Sequence, residues 1–319
     1  MNAAVVEAFN SPPRYTSFAD PVAGDGELIV KVSAAGLHPI VRALANGTHY
    51  GSTGELPFVP GVDGIGRLED ETRVYFGSAR SPFGTFAELA VTRRELTIPL
   101  PEGLADTVAA ATANPGMSSW VALNARAKFV TGESVLILGA AGAAGKLAIQ
   151  IAKRLGARYV VAVARNVNVG AMKELGADSV ISLDQEHDAL VTSLRREWTE
   201  TGVDVVLDYL WGQPAEAVLE AIARKGLNQS APRVRFVQIG NSAGKTVALS
   251  AATLRSSGLE ILGSGFGSAS ITEIFQMLGE FFTESAKRPF YEEIRSAPLR
   301  EVESMWTATD DRARLVFQP

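Results

Sequence analysis

The chain has 319 residues, a formal net charge of −5 and no cysteine. That length suggests two domains, and basic residues that are scattered rather than massed leave no footprint for nucleic acid or an anionic membrane surface. Without cysteine there is no disulfide framework, thiol nucleophile or thiolate metal site; with no basic-then-apolar leader and no apolar span long enough for a bilayer, a cytoplasmic protein acting on a small molecule is expected.

From Asn2 to about Asn124 the pattern is one of short strands and turns. Leu28-Ile29-Val30-Lys31-Val32 reads as a strand after the turn-rich Ala23-Gly24-Asp25-Gly26, and Pro60 to Arg67 as a tight turn entering another. Arg73 to Phe76 and Phe86 to Val91 add two more, which together imply a compact β-rich lobe. A helical segment first appears at Val108 to Thr112, is punctuated by Asn114-Pro115-Gly116, and is followed by a linking helix from Ser118 to Arg126.

The stretch Gly132 to Gly156 carries the strongest signal in the chain. Val135-Leu136-Ile137-Leu138 is apolar enough for a strand buried on both faces, and Leu147, Ala148, Ile151, Ala152 and Leu155 recur at helical spacing. Between them lies Gly139-Ala140-Ala141-Gly142-Ala143-Ala144-Gly145, which reads as A-x-G-x-x-G, with Ala140 where the dinucleotide fingerprint usually has its first glycine. Gly142 lets backbone approach a pyrophosphate, Gly145 lets helix pack on strand, and the first free N–H groups of the helix, from Ala143 and Ala144 onward, favour an anion.

The acceptor for the adenosine ribose should lie about 20 residues further on, at the end of the second strand. That strand, Tyr159 to Ala164, ends in Arg165-Asn166 and offers no acid. Arg165 presents a cationic fork suited to a 2′-phosphate and Asn166 adds neutral donors, so NADPH is the expected cofactor; the alternative is a solvated arginine at a strand end.

Strands and helices then alternate to about Leu262, the rhythm of a doubly wound parallel sheet. A helix ends at Leu175-Gly176, Val180-Ile181 is a short third strand, and a polar helix covers Asp188 to Thr199. Val203 to Asp208, Val234 to Gly240 and Leu259 to Leu262 are the fourth to sixth strands, with a helix from Ala215 to Ala223. Right-handed crossovers bring the loops after these strands to one edge, where the nicotinamide should lie. An amphipathic helix, Ile271 to Phe282, and a strand, Arg314 to Phe317, close the chain and are expected to return to the first lobe.

These segments resemble the medium-chain dehydrogenase/reductase superfamily, and within it the zinc-independent quinone oxidoreductase-like branch. The resemblance is carried by Ala34 to Pro39, Leu56 to Gly66, Asn114 to Trp120, Gly132 to Gly156 and Leu207-Asp208. It implies an α/β fold, a doubly wound parallel (Rossmann) sheet plus a β-rich GroES-like catalytic domain, with residues 1–124 and 263–319 forming the catalytic domain and 125–262 the dinucleotide-binding domain. It also implies a homodimer. Relatives with a catalytic zinc hold it with two cysteines and a histidine. Here His38 stands at the first cysteine position and Val62 at the histidine of a Gly-His-Glu element that reads Gly61-Val62-Asp63, so no zinc is expected.

Without a metal, hydrogen-bond donors must meet the charge that develops on the acceptor, which favours quinones and α,β-unsaturated carbonyls. The donors expected from Gly47-Thr48-His49-Tyr50-Gly51 are His49, which switches protonation near neutral pH, and Tyr50, which orients through its hydroxyl; spacing does not choose between them. The resemblance also directs Ser118 at the nicotinamide region and places Gly240 and Asn241 by the nicotinamide ribose and amide. His38, Trp211 and Phe266 are candidate pocket walls, with core packing as the alternative for each. The function expected is therefore an NADPH-dependent reductase of quinones or enones. The alternatives are an NAD(P)-dependent carbonyl or alcohol dehydrogenase of the same fold and a non-catalytic NADPH-binding redox sensor.

Overall fold

The computed structural model describes residues 1–49, 51–77, 79–224, 231–265, 267–307 and 313–319. The chain begins with an antiparallel pair, β1 (Asn2–Val5) and β2 (Arg14–Ser17), followed by the long β3 (Glu27–Gly36) and a short helix, α1 (Pro39–Ala45). Strands β4 (Asp63–Arg67), β5 (Arg73–Gly77), β6 (Leu89–Arg93) and β7 (Thr97–Pro99) come next. Helix α2 (Asp106–Val121) runs without a break through Pro115 and into a π-helical turn at Ala122–Ala127. The sequence pattern places punctuation at that proline. The helix persists because every residue from Ala109 to Ala113 is buried, and such packing offsets the ~3 kcal/mol that an interior proline costs.

The alternating region follows as β8 (Ser134–Leu138), α3 (Ala143–Arg154), β9 (Tyr159–Ala164), α4 (Val169–Glu174), β10 (Ser179–Ser182) and α5 (His187–Glu200). It continues with β11 (Val205–Asp208), α6 (Gly212–Ile222), β12 (Arg233–Gln238), α7 (Ala251–Ser256) and β13 (Gly258–Gly263). The tail comprises α8 (Ile271–Lys287), β14 (Ile294–Pro298), α9 (Val302–Trp306) and β15 (Arg314–Gln318).

Two compact units result, Met1–Pro115 with Phe275–Pro319, and Gly116–Ile274. Their limits fall inside α2 and α8, about ten residues from the expected limits at 124 and 263, because each helix runs on across the boundary. In the first unit a seven-stranded sheet is ordered β14-β15-β3-β4-β5-β7, with β6 also paired to β3. The tail pairs with this sheet, Val316 with Gly36 and Phe317 with Ala35. Ala297, Leu299, Trp306 and Phe317 share one apolar cluster with Ala3, Val5, Val41 and Phe86. On α8, Phe275 and Phe282 pack their rings on Tyr75 at centroid distances of 6.0 and 5.2 Å.

The second unit holds a six-stranded, all-parallel sheet ordered β10-β9-β8-β11-β12-β13. Counted from β8 this is the doubly wound order, whose direction reverses between β8 and β11. Every residue of β8 and β11 is buried, as the apolar runs predict for central parallel strands. The π-helical turn is fastened to this sheet by Arg235, 3 % exposed, whose guanidinium donates to Ala127 O at 2.8 Å and to Glu133 Oε1 at 2.5 Å.

Candidate active site

In the second unit the site begins where β8 ends. Gly139 turns the chain with φ +98°, the left-handed region that glycine takes without strain. Because this bend falls one residue before Ala140, the alanine in the fingerprint needs no special conformation and is fully buried. Gly145 could not be replaced without movement: a Cβ there would lie 2.3 Å from Gly139 O and 2.6 Å from Ala140 Cα. Gly142, by contrast, is exposed, and a Cβ would meet only Gly139 O at 3.6 Å.

Gly142 is the N-cap of α3 and offers no side chain to its own helix. The first intrahelical bond is made by Lys146 N–H to Gly142 O at 2.8 Å, so the N–H groups of Ala143, Ala144 and Gly145 precede the ladder. Close helix–strand packing, an open Gly142 and outward N–H groups at the positive end of α3 together form a cradle for a pyrophosphate. The residues present therefore fit a dinucleotide.

At the end of β9, Arg165 is exposed and has no ion-pair or hydrogen-bond partner among the described residues. Asn166 adopts φ +48°, a conformation asparagine tolerates better than most residues. Its N–H donates to Asp184 Oδ2 at 2.6 Å, so this carboxylate holds the main chain of the turn.

The remaining predicted residues of this unit meet in one place. Ser118 Oγ lies 3.3 Å from the hydroxyl of Tyr209, the residue after β11. Gly240 follows β12, and a Cβ on it would sit 2.6 Å from Tyr209 O, an approach only glycine allows. Asn241 is exposed beside it, and Ser242 Oγ donates to Tyr209 O at 3.1 Å. Tyr209 thus joins Ser118 to the Gly240–Ser242 loop, and sequence reasoning missed it. Its signal was a hydroxyl-bearing residue directly after the strand that lies beside β8, visible only once the strand order is known. Burial pushes its phenol up to about 12, so it stays protonated.

Trp211 was expected at a pocket wall. Its ring instead packs edge-on against Phe236, at 6.1 Å between centroids, alongside the apolar core of the unit. Phe266 lies outside the described residues, as does Tyr50.

In the first unit, His49 is half-buried on the loop after α1. Its Nδ1 accepts from Gly51 N–H at 3.1 Å, which in the neutral ring leaves the proton on Nε2 as a donor. His38, also expected at a pocket wall, is fully buried instead. Its Nε2 lies 3.6 Å from Asp63 Oδ1, and Tyr75 donates its hydroxyl to Asp63 Oδ2 at 3.3 Å. The reason is local: His38 precedes α1 at the end of β3, and β4, which begins at Asp63, pairs with β3. Burial and then the nearby Arg314 charge hold the His38 imidazole well below its ordinary pKa. Burial raises Asp63 to about 7 against the opposing pull of Tyr75 and Arg314. Among the described residues no group of three or more His, Asp or Glu gathers as a metal site, and no helix is long and apolar enough to cross a membrane.

A parallel sheet of this order with a glycine turn at its reversal, accompanied by a separate β-rich unit, defines a two-domain pyridine-nucleotide oxidoreductase architecture. Residues 143–283 match the family model described as "Zinc-binding dehydrogenase". The chain is 31 % identical over 378 aligned positions, covering all of both chains, to a "Probable NADPH-dependent quinone reductase" of Emericella nidulans. It is 30 % identical over 214 residues to a "Trans-enoyl reductase" of Aspergillus terreus, covering 60 % of this chain and 59 % of that one. The quinone oxidoreductase of Thermus thermophilus, whose structure is known with NADPH, superposes with a TM-score of 0.81 at 26 % identity over the full length of both chains. The chain belongs to the medium-chain dehydrogenase/reductase superfamily, in its quinone oxidoreductase-like branch.

Proposed function

We propose that this protein is an NADPH-dependent reductase that passes hydride to quinones or α,β-unsaturated carbonyl compounds without a catalytic zinc. The observation that carries the reading is the cradle at the end of β8, with its open Gly142 and its N–H groups at the start of α3, together with Arg165 at the end of β9, which has no partner among the described residues. Ala140 to Gly145 would hold the pyrophosphate, Arg165 and Asn166 the 2′-phosphate and adenosine ribose, and Ser118, Gly240 and Asn241 the nicotinamide end. NADPH, when bound, supplies the hydride. The chain's own part is to orient that cofactor and to offer donors to the oxygen that gains charge. Tyr50 and His49 are the two candidate donors, and His49 in its neutral form would carry its ring proton on Nε2.

The choice of acceptor follows from the donor set. The chain has no cysteine, and the positions matching the zinc ligands of relatives hold His38, buried 3.6 Å from Asp63, and Val62. A conjugated acceptor spreads its new charge through an enolate or quinol, which hydrogen bonds alone can stabilise. Purified protein mixed with NADPH and a panel of quinones and enones should consume the cofactor, with rates unchanged by a chelator. Turnover of simple alcohols, abolished by chelation, would replace this reading with that of a metal-dependent alcohol dehydrogenase.

Cofactor preference has its own test. Arg165→Ala should weaken NADPH roughly 10- to 100-fold, the worth of a charge-assisted hydrogen bond, and leave NADH nearly unchanged. Equal effects on both cofactors would remove the 2′-phosphate from this account. We also propose that the protein acts in the cytoplasm as a homodimer. The open edge of the parallel sheet at β13, where Ile261 is 39 % exposed, supports self-pairing, and light scattering at working concentration tests it.

A further inference from the structure

The turn between β11 and α6 is strained. Trp211, a bulky residue, has φ +57° and ψ −164°, a region otherwise left to glycine, and Gly212 follows at φ +60°. A Cβ on Gly212 would lie 2.7 Å from Ala243 O, so the turn is pressed against the loop after β12. Strain of this kind persists only where the surroundings over-determine it.

What over-determines it is Asp208. This residue is fully buried at the carboxyl end of β11, beside the reversal of the sheet. Its Oδ1 accepts from Leu210 N–H at 2.8 Å and from Trp211 N–H at 3.0 Å, and its main-chain oxygen accepts from Ile239 and Gly240 N–H at 2.8 and 3.1 Å. Its Oδ2 is buried and has no partner among the described residues. Two loops therefore hang from one residue.

Tyr209 lies between those bonds. Its N–H donates to Leu138 O at 3.1 Å, its Cβ would be 3.2 Å from a Cβ on Gly139, its carbonyl touches Gly240 and Ser242, and its hydroxyl reaches Ser118. It thus meets the loops after β8 and β12 and the helix α2 together. Simple packing would not need a hydroxyl aimed at another hydroxyl at the edge where ligands of such sheets bind.

We propose that Asp208 and Tyr209 act as a positioning pair for the nicotinamide end of the dinucleotide: Asp208 clamps the strained turn, and Tyr209 fixes the Ser118 hydroxyl and the Gly240–Ser242 loop. This rests on the NADPH reading above. Neither residue transfers hydride or proton; each acts through the groups it holds.

The test compares Tyr209→Phe, Ser118→Ala, the double variant, Asp208→Asn and Asp208→Ala. Tyr209→Phe leaves the Asp208 clamp intact, so it should fold normally, bind NADPH within about threefold of wild type and lose about tenfold in kcat, as expected for one positioned hydrogen bond. The double variant should lose no more than Ser118→Ala alone, because the two hydroxyls act as one unit. Emission from bound NADPH should shift alike in both single variants, a readout that a purely structural role would not move. Asp208→Asn keeps the acceptor for Leu210 and Trp211 and should retain kcat within about threefold, while Asp208→Ala loses tenfold or more. An unchanged kcat and emission in Tyr209→Phe, or losses that multiply in the double variant, would overturn the proposal. Wild-type protein that neither binds nor consumes NADPH would instead overturn the reading beneath it.

Discussion

The Gly145→Ala variant should lose about 2 to 3 kcal/mol of stability along with NADPH binding, whereas Gly142→Ala should keep its stability and lose only the cofactor. The contrast follows from what each added methyl meets. At Gly145 the Cβ would be driven to 2.3 Å from the carbonyl oxygen of Gly139 and 2.6 Å from Ala140 Cα, and backbone cannot step aside as a flexible side chain can. Helix α3 would have to lift from the end of β8, opening a contact between a buried strand and the buried face of the helix. At Gly142 the methyl has room on the protein side and φ is −72°, ordinary for alanine. It would project from the open face where the pyrophosphate is proposed to lie, so its effect should appear in a titration and not in a melting curve. Thermal unfolding and NADPH titration of both variants check this. Equal stability loss in both would mean that Gly142 is structural, and retained NADPH affinity in Gly142→Ala would place the phosphates elsewhere.

Stability against pH should separate His38 from Asp63 through slopes of opposite sign. Asp63 is raised to about 7, so between its unfolded value near 4 and pH 7 the native state holds a proton that the unfolded chain has lost. Its contribution therefore falls as pH rises through that window. His38 is depressed, so below an unfolded value near 6.5 the unfolded chain binds a proton that the native state refuses, and its contribution rises with pH up to there. In the wild type both states of the pair carry one proton between about pH 4 and 6.5, and the two slopes cancel. Asp63→Asn should expose the rising slope and His38→Gln the falling one, each approaching about 1.4 kcal/mol per pH unit. Denaturant midpoints collected from about pH 4.5 to about 7 would show slopes of roughly that size. Two variants whose slopes share a sign, or none, would mean that the pair is not neutral in the folded protein.

The sheet of the second unit was legible because central parallel strands must be apolar on both faces, and Val135 to Leu138 and Val205 to Leu207 are. The glycine turn was legible for the same reason, since it joins one such strand to a helix of clear period. Pro115 misled, because proline reads locally as a break while α2 is held by burial that no local pattern reports. Tyr209 was invisible because its role depends on which strands become neighbours, and β11 lies beside β8 only in three dimensions. His38 was singled out by position as a pocket wall or a core residue, but its neighbour Asp63 arrives through the pairing of β3 with β4, which no local pattern reports.

The guanidinium of Arg235 gives the fastening of the π-helical turn a character unlike that of the histidine–aspartate contact. At 3 % exposure dissolved ions cannot approach it closely enough to compete with Glu133 or the Ala127 carbonyl. One chain thus contains an interior contact whose charge depends on the acidity of the medium and another that added salt will loosen little. Salt that screens exposed ion pairs of the β-rich unit, such as Arg14–Glu7, should leave the seam between that turn and the parallel sheet closed.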